Sequence, residues 1–187
     1  MERIRCFIAI DVENSDIIAK ISKVMQALNF FGNKLKLVET GNIHLTLRFL
    51  GGLPKSIVDE IIEVLDTVDY HPFTITLKGL GVFPTPSRPR VIWVGIEEGV
   101  EDLKKLVTRI NTALRRLRLP PPDKPFSPHV TIARVKRPVD TGKLMRILDA
   151  HATEFGPMLV DRIRLKKSTL TSRGPIYTTL YEKLLSG

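Results

Sequence analysis

Histidine and threonine recur in this chain at a spacing suited to proton transfer. His44-Leu45-Thr46-Leu47 and His129-Val130-Thr131-Ile132 share the pattern His-x-Thr-apolar. Successive side chains of a β-strand alternate between faces. Each copy therefore presents an imidazole and a hydroxyl on one face, with aliphatic residues rooting them from behind. A free imidazole titrates near ~6.5, so at neutral pH one ring can be neutral while another is protonated. A neutral ring takes a proton from an attacking water, and a charged ring gives one to a departing oxygen. A threonine hydroxyl holds a non-bridging oxygen of the reacting group. Attack and departure on opposite sides suit in-line displacement at phosphorus. General acid–base groups contribute about 10²–10⁴-fold each, and positioning adds to that. A single His-x-Thr is ordinarily a structural pair. Two copies with apolar residues at the same offsets mark a site.

Other chemistries find no support in the sequence. There is no HExxH, no CxxC and no tight His/Asp cluster that would mark a metal site. A GxSxG elbow and a glycine-rich phosphate loop are also missing. We therefore expect neither a metal nor a cofactor. His71 precedes a proline in a loop, and His151 ends a helix, where its cation suits the dipole; neither is assigned a catalytic role.

The elements that must position the motifs follow from periodicity. Strands are expected at Arg5 to Ile10, at the two motifs, at Phe73 to Leu80, at Arg90 to Ile96, within Leu159 to Leu170 as one long strand, and at Ile176 to Tyr181. Helices are expected after Asn14 or Ser15, from Pro54, over Val100 to Arg118, and over Thr141 to Ala150. Gly51-Gly52 reads as the end of the first motif strand, and Val82 to Pro89, with three prolines, as a loop. His129 lies 85 residues after His44, as Arg90 does after Arg5 and Gly99 after Asn14. That period is too long for a solenoid. It suits one α+β domain over 1–187 made of two duplicated, pseudo-symmetric lobes, at about 5–80 and 90–170, with the last strand added. Each lobe is an antiparallel β-sheet backed by helices. Packed about a pseudo-twofold axis, the lobes face His44 and His129 across a central cleft.

The bulk numbers restrict the partners. A formal net charge of +9 favours polyanions. No apolar run approaches the ~20 residues of a membrane span, and the opening Met1 to Arg5 leads into a strand rather than a signal peptide. The single cysteine, Cys6, excludes an internal disulfide and reads as core, which fits a reducing, cytoplasmic compartment.

The paired motifs in their setting, HLTLRFLG and PHVTIAR, with the opening RCFIAI, resemble the two-histidine (2H) phosphoesterases. The likeness is closest to the RNA 2′,3′-cyclic phosphodiesterase (LigT/ThpR-like) family, formerly called 2′-5′ RNA ligase, and covers essentially the whole chain. The resemblance implies metal-independent opening of a 2′,3′-cyclic phosphate at an RNA end, tRNA fragments included, to a 2′-phosphomonoester. It makes His129 the proton acceptor, His44 the proton donor, and Thr46 and Thr131 the phosphate holders. Run backwards with a 5′-hydroxyl in place of water, the same site joins ends through a 2′-5′ linkage. Other readings are a phosphodiesterase for 2′-5′ oligoadenylate or a small cyclic nucleotide phosphate, and a non-catalytic RNA-binding module. The protein is expected to be a monomer.

The remaining contacts are less direct. Arg134 is a substrate-binding candidate by resemblance, yet strict alternation puts it on the face opposite His129 unless a bulge intervenes. Arg48 falls on the face of His44 by the same count. Arg5 reads as a structural ion-pair partner, and Phe49 and Trp93 as core. Phe126, in the loop before His129, is the candidate for stacking on a base. Tyr177 and Tyr181 read as core or rim.

Overall fold

β1 (Arg3–Asp11) is covered on both faces: Cys6, Phe7, Ile8, Ala9 and Ile10 are all buried, as befits a central strand. It opens a computed structural model that describes all 187 residues. Next come α1 (Ser15–Leu28), β2 (Leu35–Leu37), β3 (His44–Pro54), α2 (Lys55–Asp66), β4 (Phe73–Thr85), β5 (Arg88–Glu98), α3 (Val100–Leu114), β6 (His129–Val135), α4 (Thr141–His151), β7 (Glu154–Val160), β8 (Arg162–Thr171) and β9 (Gly174–Leu184). The helices begin where capping chemistry allows. Asn14 accepts from Asp16 N–H and Ile17 N–H at 3.0 and 3.1 Å, and Asp140 accepts from Lys143 N–H at 2.9 Å. In α3, Leu103, Leu106, Val107, Ile110 and Leu114 are buried at the spacing the sequence predicts. No helix is long and apolar enough to cross a membrane.

All strand pairings are antiparallel, in the order β7-β4-β5-β6-β3-β1-β8-β9, with β2 added to β6. The fold is α+β, as expected, and the two motif strands are neighbours at the centre of the sheet. Their pairing is narrow: β3 meets β6 only at Leu45 opposite Val130, both fully buried. The sheet parts on either side of that seam, and the parting is the cleft. The two lobes are not the two halves of the chain. The half β3-β1-β8-β9 is backed by α2 and α3, and the half β6-β5-β4-β7 by α1 and α4. Each lobe thus takes strands and helices from both halves of the sequence.

The reason is local. Val82 to Pro89 is not a loop but a hairpin, turning at Pro86-Ser87 with Thr85 opposite Arg88. So short a connection forces β4 to lie beside β5. Pro86 sits in the turn, while Pro84 opposes Pro89 across the ladder. The expected long strand within Leu159 to Leu170 is two strands, broken at Asp161, which lie in opposite halves of the sheet. β3 does not end at Gly51-Gly52. Gly51 takes a positive φ of 77°, Leu50 bulges out of the register with β1, and the strand runs on to Pro54.

Candidate active site

Both motif strands carry a β-bulge at the same place, and it decides which side chains reach the cleft. On β6, Thr131 pairs with Trp93 and Ala133 with Ile92, so Ile132 has no partner on β5. On β3, Thr46 pairs with Ala9 and Arg48 with Ile8, so Leu47 is the extra residue. One inserted residue reverses the alternation beyond it. Arg134 therefore returns to the face of His129 and Thr131, and its side chain lines the cleft. By the same shift Arg48 leaves the face of His44. It is 8% exposed, and its guanidinium donates to Asn111 Oδ1 at 3.0 Å and to Pro120 O. Arg48 thus ties β3 to α3 and to the proline segment beyond it. Phe49 takes the place in the cleft that strict alternation gave to Arg48.

His44, Thr46, His129 and Thr131 all line one cleft of about 760 Å³. Each histidine is fixed by the same backbone device. His44 Nδ1–H donates to Asn42 O and His129 Nδ1–H to Ser127 O, both at 2.7 Å. A carbonyl only accepts, so the proton sits on Nδ1 and Nε2 is left for the chemistry. His44 Nε2 lies 3.0 Å from Thr46 Oγ1. The His44 ring packs against Phe7 and Tyr177, with centroids at 5.0 and 5.3 Å; His129 and Phe83 meet edge to face at 5.0 Å. The Leu45–Val130 pair joins the two motif strands between them, so His44 and Thr46 border the cleft from β3, and His129 and Thr131 from β6.

The rest of the lining is strongly basic. Arg5, Lys36, Arg134, Lys136 and Arg173 all border the cleft, and Glu39 is the one carboxylate. Sequence reasoning missed Lys36, Lys136 and Arg173, while Tyr177, read as core or rim, is half-buried in the cleft lining. Lys36 is carried on the three-residue β2, and Lys136 and Arg173 sit beyond strand ends, where no periodicity announces a face. Arg5 is not an ion-pair partner: its guanidinium stands over the Phe49 ring at 5.1 Å. Phe49 is not core but 53% exposed. Trp93 is not core either: it is half-buried on the face of Thr131, opposite the buried Ile92 and Val94, and its indole lies over Gly81 and 5.1 Å from the Phe83 ring. Phe126 is half-buried and lines a second groove, of about 1030 Å³, that shares Thr46, Phe49 and His129 with the cleft.

Burial pushes the His44 imidazole below the usual histidine range; the Asn42 carbonyl and Asp11 oppose the shift, while Lys166 and Arg134 reinforce it. A folded state that holds this ring neutral binds fewer protons than the unfolded chain. The resulting stability is full above pH ~6.5 and declines as pH falls from there toward the folded value. We expect His44 to titrate below the free-histidine value of ~6.5 in an NMR titration of its imidazole resonances, and phosphate to raise it, because an anion favours the charged ring. A His44 resonance at or above the free-histidine value without ligand would contradict this placement of charge.

The comparisons agree with the geometry. The family model for the 2′-5′ RNA ligase superfamily matches residues 18–169. The chain is 40% identical over 195 residues to a protein of Aquifex aeolicus named RNA 2′,3′-cyclic phosphodiesterase, covering all of both chains. It is 38% identical over 167 residues to one of Aeropyrum pernix with the same name, covering 89% of this chain and 95% of that one. Among solved structures, TT0787 of Thermus thermophilus superposes with a TM-score of 0.84 at 29% identity, over 97% of this chain and 98% of that one. Escherichia coli LigT complexed with 3′-AMP superposes with a TM-score of 0.80 at 25% identity over all of both chains. A two-lobed antiparallel fold with a His-x-Thr on each side of its central seam is the class of protein observed. This chain belongs to the 2′-5′ RNA ligase superfamily.

Proposed function

We propose that the protein hydrolyses the 2′,3′-cyclic phosphate at an RNA end to a 2′-phosphomonoester. The observation that carries the reading is the pair of histidines, each with Nδ1 held by a carbonyl, that line one cleft across a two-stranded seam. The names of the Aquifex and Aeropyrum relatives support the substrate. In the reaction, His129 Nε2 takes a proton from water as its oxygen bonds to phosphorus. The bond from phosphorus to the 3′ oxygen breaks, and His44 Nε2–H protonates that oxygen. Thr46 and Thr131 donate to non-bridging oxygens, and Arg134 offsets their charge. The free His44 ring is held toward neutrality; the substrate's anionic phosphate favours the charged form that a proton donor requires. Phe126, in the adjoining groove, is the stacking surface for a base. The same site in reverse joins a 5′-hydroxyl to the cyclic end through a 2′-5′ bond.

The reading extends to cleaved RNAs, tRNA fragments among them, met by a monomer in the cytoplasm. The single cysteine, Cys6, is a buried free thiol, as a reducing compartment keeps it. The test compares two substrates of equal length, one ending in a 2′,3′-cyclic phosphate and one a linear 2′-5′ oligoadenylate. We expect kcat/KM to favour the cyclic end by at least about tenfold, because attack at its phosphorus relieves the strain of the five-membered ring, which the linear diester lacks, while the site positions water for either ester. A preference for the linear linkage would assign the same residues to a different ester.

A further inference from the structure

A second hollow, of about 320 Å³, lies between the β4–β5 turn and the start of α4. Arg88, Arg90, Lys136 and Arg137 border it, with no carboxylate and no aromatic ring in its lining. Arg88, Arg90 and Arg137 are exposed, and none takes part in an ion pair of the fold. Many other cations of this basic chain are tied down: Arg162 and Arg164 by Glu182, Lys166 by Asp11, and Lys78 by Glu97. The backbone that carries the hollow is fixed. Lys136 and Arg137 N–H donate to Lys34 O at 2.7 and 3.2 Å, and Arg88 N–H to Thr85 Oγ1 at 3.2 Å. Lys136 borders both this hollow and the catalytic cleft, so the two adjoin at that residue.

Unpaired cations on a rigid frame, without a ring on which a base could stack, fit the phosphate backbone of a nucleic acid and not its bases. We propose that the RNA strand upstream of the reacting end leaves the cleft past Lys136 and lays its backbone phosphates across Arg88, Arg90 and Arg137. This rests on the reading of the cleft as an RNA-end phosphodiesterase. It makes the hollow a sequence-independent subsite that strengthens binding of RNA chains and does nothing for a cyclic mononucleotide, which ends inside the cleft.

The test is binding of a 5′-fluorescein 12-mer RNA with a 3′-phosphate end, measured by anisotropy across a NaCl series. The triple variant Arg88→Ala/Arg90→Ala/Arg137→Ala is compared with Lys105→Ala/Arg115→Ala/Arg116→Ala, which removes the same charge from the region of α3. Neutralising three phosphate contacts on a single strand lowers the slope of log K against log salt by about 2. We expect that loss, and an affinity lower by about tenfold or more at 50 mM NaCl, for the first triple and much less for the second, alike for three unrelated RNA sequences. An unchanged slope in the first triple, or equal losses in both, would overturn the subsite. Turnover of a 2′,3′-cyclic mononucleotide is measured on the same preparations and is expected to be unaltered in both. Its absence in the unmodified protein, with the cyclic end of an RNA 12-mer also left intact, would overturn the phosphodiesterase reading and the subsite that rests on it, while an unchanged salt slope with turnover intact would overturn the subsite alone.

Discussion

His129→Ala and His44→Ala are each expected to lower kcat on an RNA cyclic-phosphate end by about 10²–10⁴-fold. The reason is geometric. Each ring has one nitrogen committed to a backbone carbonyl at 2.7 Å and the other turned to the cleft, where His44 Nε2 meets the Thr46 hydroxyl, so no second base or acid stands ready to replace either ring. Thr46 Oγ1, 3.0 Å from His44 Nε2, is a hydroxyl and too weak an acid or base to serve at neutral pH. The fold is expected to persist, because the strands are rooted by Leu45, Leu47, Val130 and Ile132 on the other face, all buried. The double variant should be little worse than either single one, since residues that act as a unit are strongly non-additive. Single-turnover rates with thermal melts of the same samples check this. Near-full activity in either variant with an intact melt would remove that histidine from the chemistry.

Asp11→Ala is expected to destabilise the protein by about 3–5 kcal/mol, the usual cost of stripping one partner from a buried pair. Asp11 lies opposite His44 in the β1–β3 register. Its carboxylate accepts from Lys166 Nζ at 3.0 and 2.8 Å and from Arg164 at 2.6 Å. Arg164 keeps Glu13 and Glu182 if Asp11 is lost, but Lys166, 7% exposed, has no other ion-pair partner. The loss should appear in urea unfolding as a lower midpoint with an unchanged slope. Asp11→Ala combined with Lys166→Met should recover part of it, because the stranded charge is then gone. The variant also removes a charge that favours the protonated His44 ring. The alkaline limb of a pH–rate profile, where the donor His44 loses its proton, should therefore move further down. Loss of stability below about 1 kcal/mol in the single variant would mean that Lys166 reaches water when its partner is removed, at much less than the cost expected for a buried charge.

That the four motif residues share the cleft was legible because strand alternation over three residues is robust and because the motif occurs twice. The residues just beyond each motif were not. The bulges at Leu47 and Ile132 reverse the faces of Arg48, Phe49 and Arg134, and nothing in Leu-Thr-Leu-Arg or Val-Thr-Ile-Ala announces an inserted residue. The resemblance pointed to Arg134 where counting by twos did not, and counting by twos placed Arg48 wrongly in the cleft. The lobes were legible as a spacing of 85 residues but not as sets of strands. A strand's neighbour is fixed by the hairpin at Pro86-Ser87 and the break at Asp161, and the prolines that read as loop are seated in the turn and opposite each other across the ladder. The basic rim of the cleft escaped notice for a different reason. Lys36, Lys136 and Arg173 come from three separate segments, and only the tertiary fold brings them together.

One reaction underlies these expectations, and its product can be read directly. The purified protein is incubated in EDTA with an RNA oligonucleotide ending in a 2′,3′-cyclic phosphate, and the product end is identified by chromatography against 2′- and 3′-phosphate standards. We expect complete conversion to the 2′-phosphate, with His44 delivering its proton to the 3′ oxygen. A 3′-phosphate would contradict the orientation assigned to the two histidines. An untouched cyclic end, with the protein folded and the RNA bound, would contradict the phosphodiesterase itself.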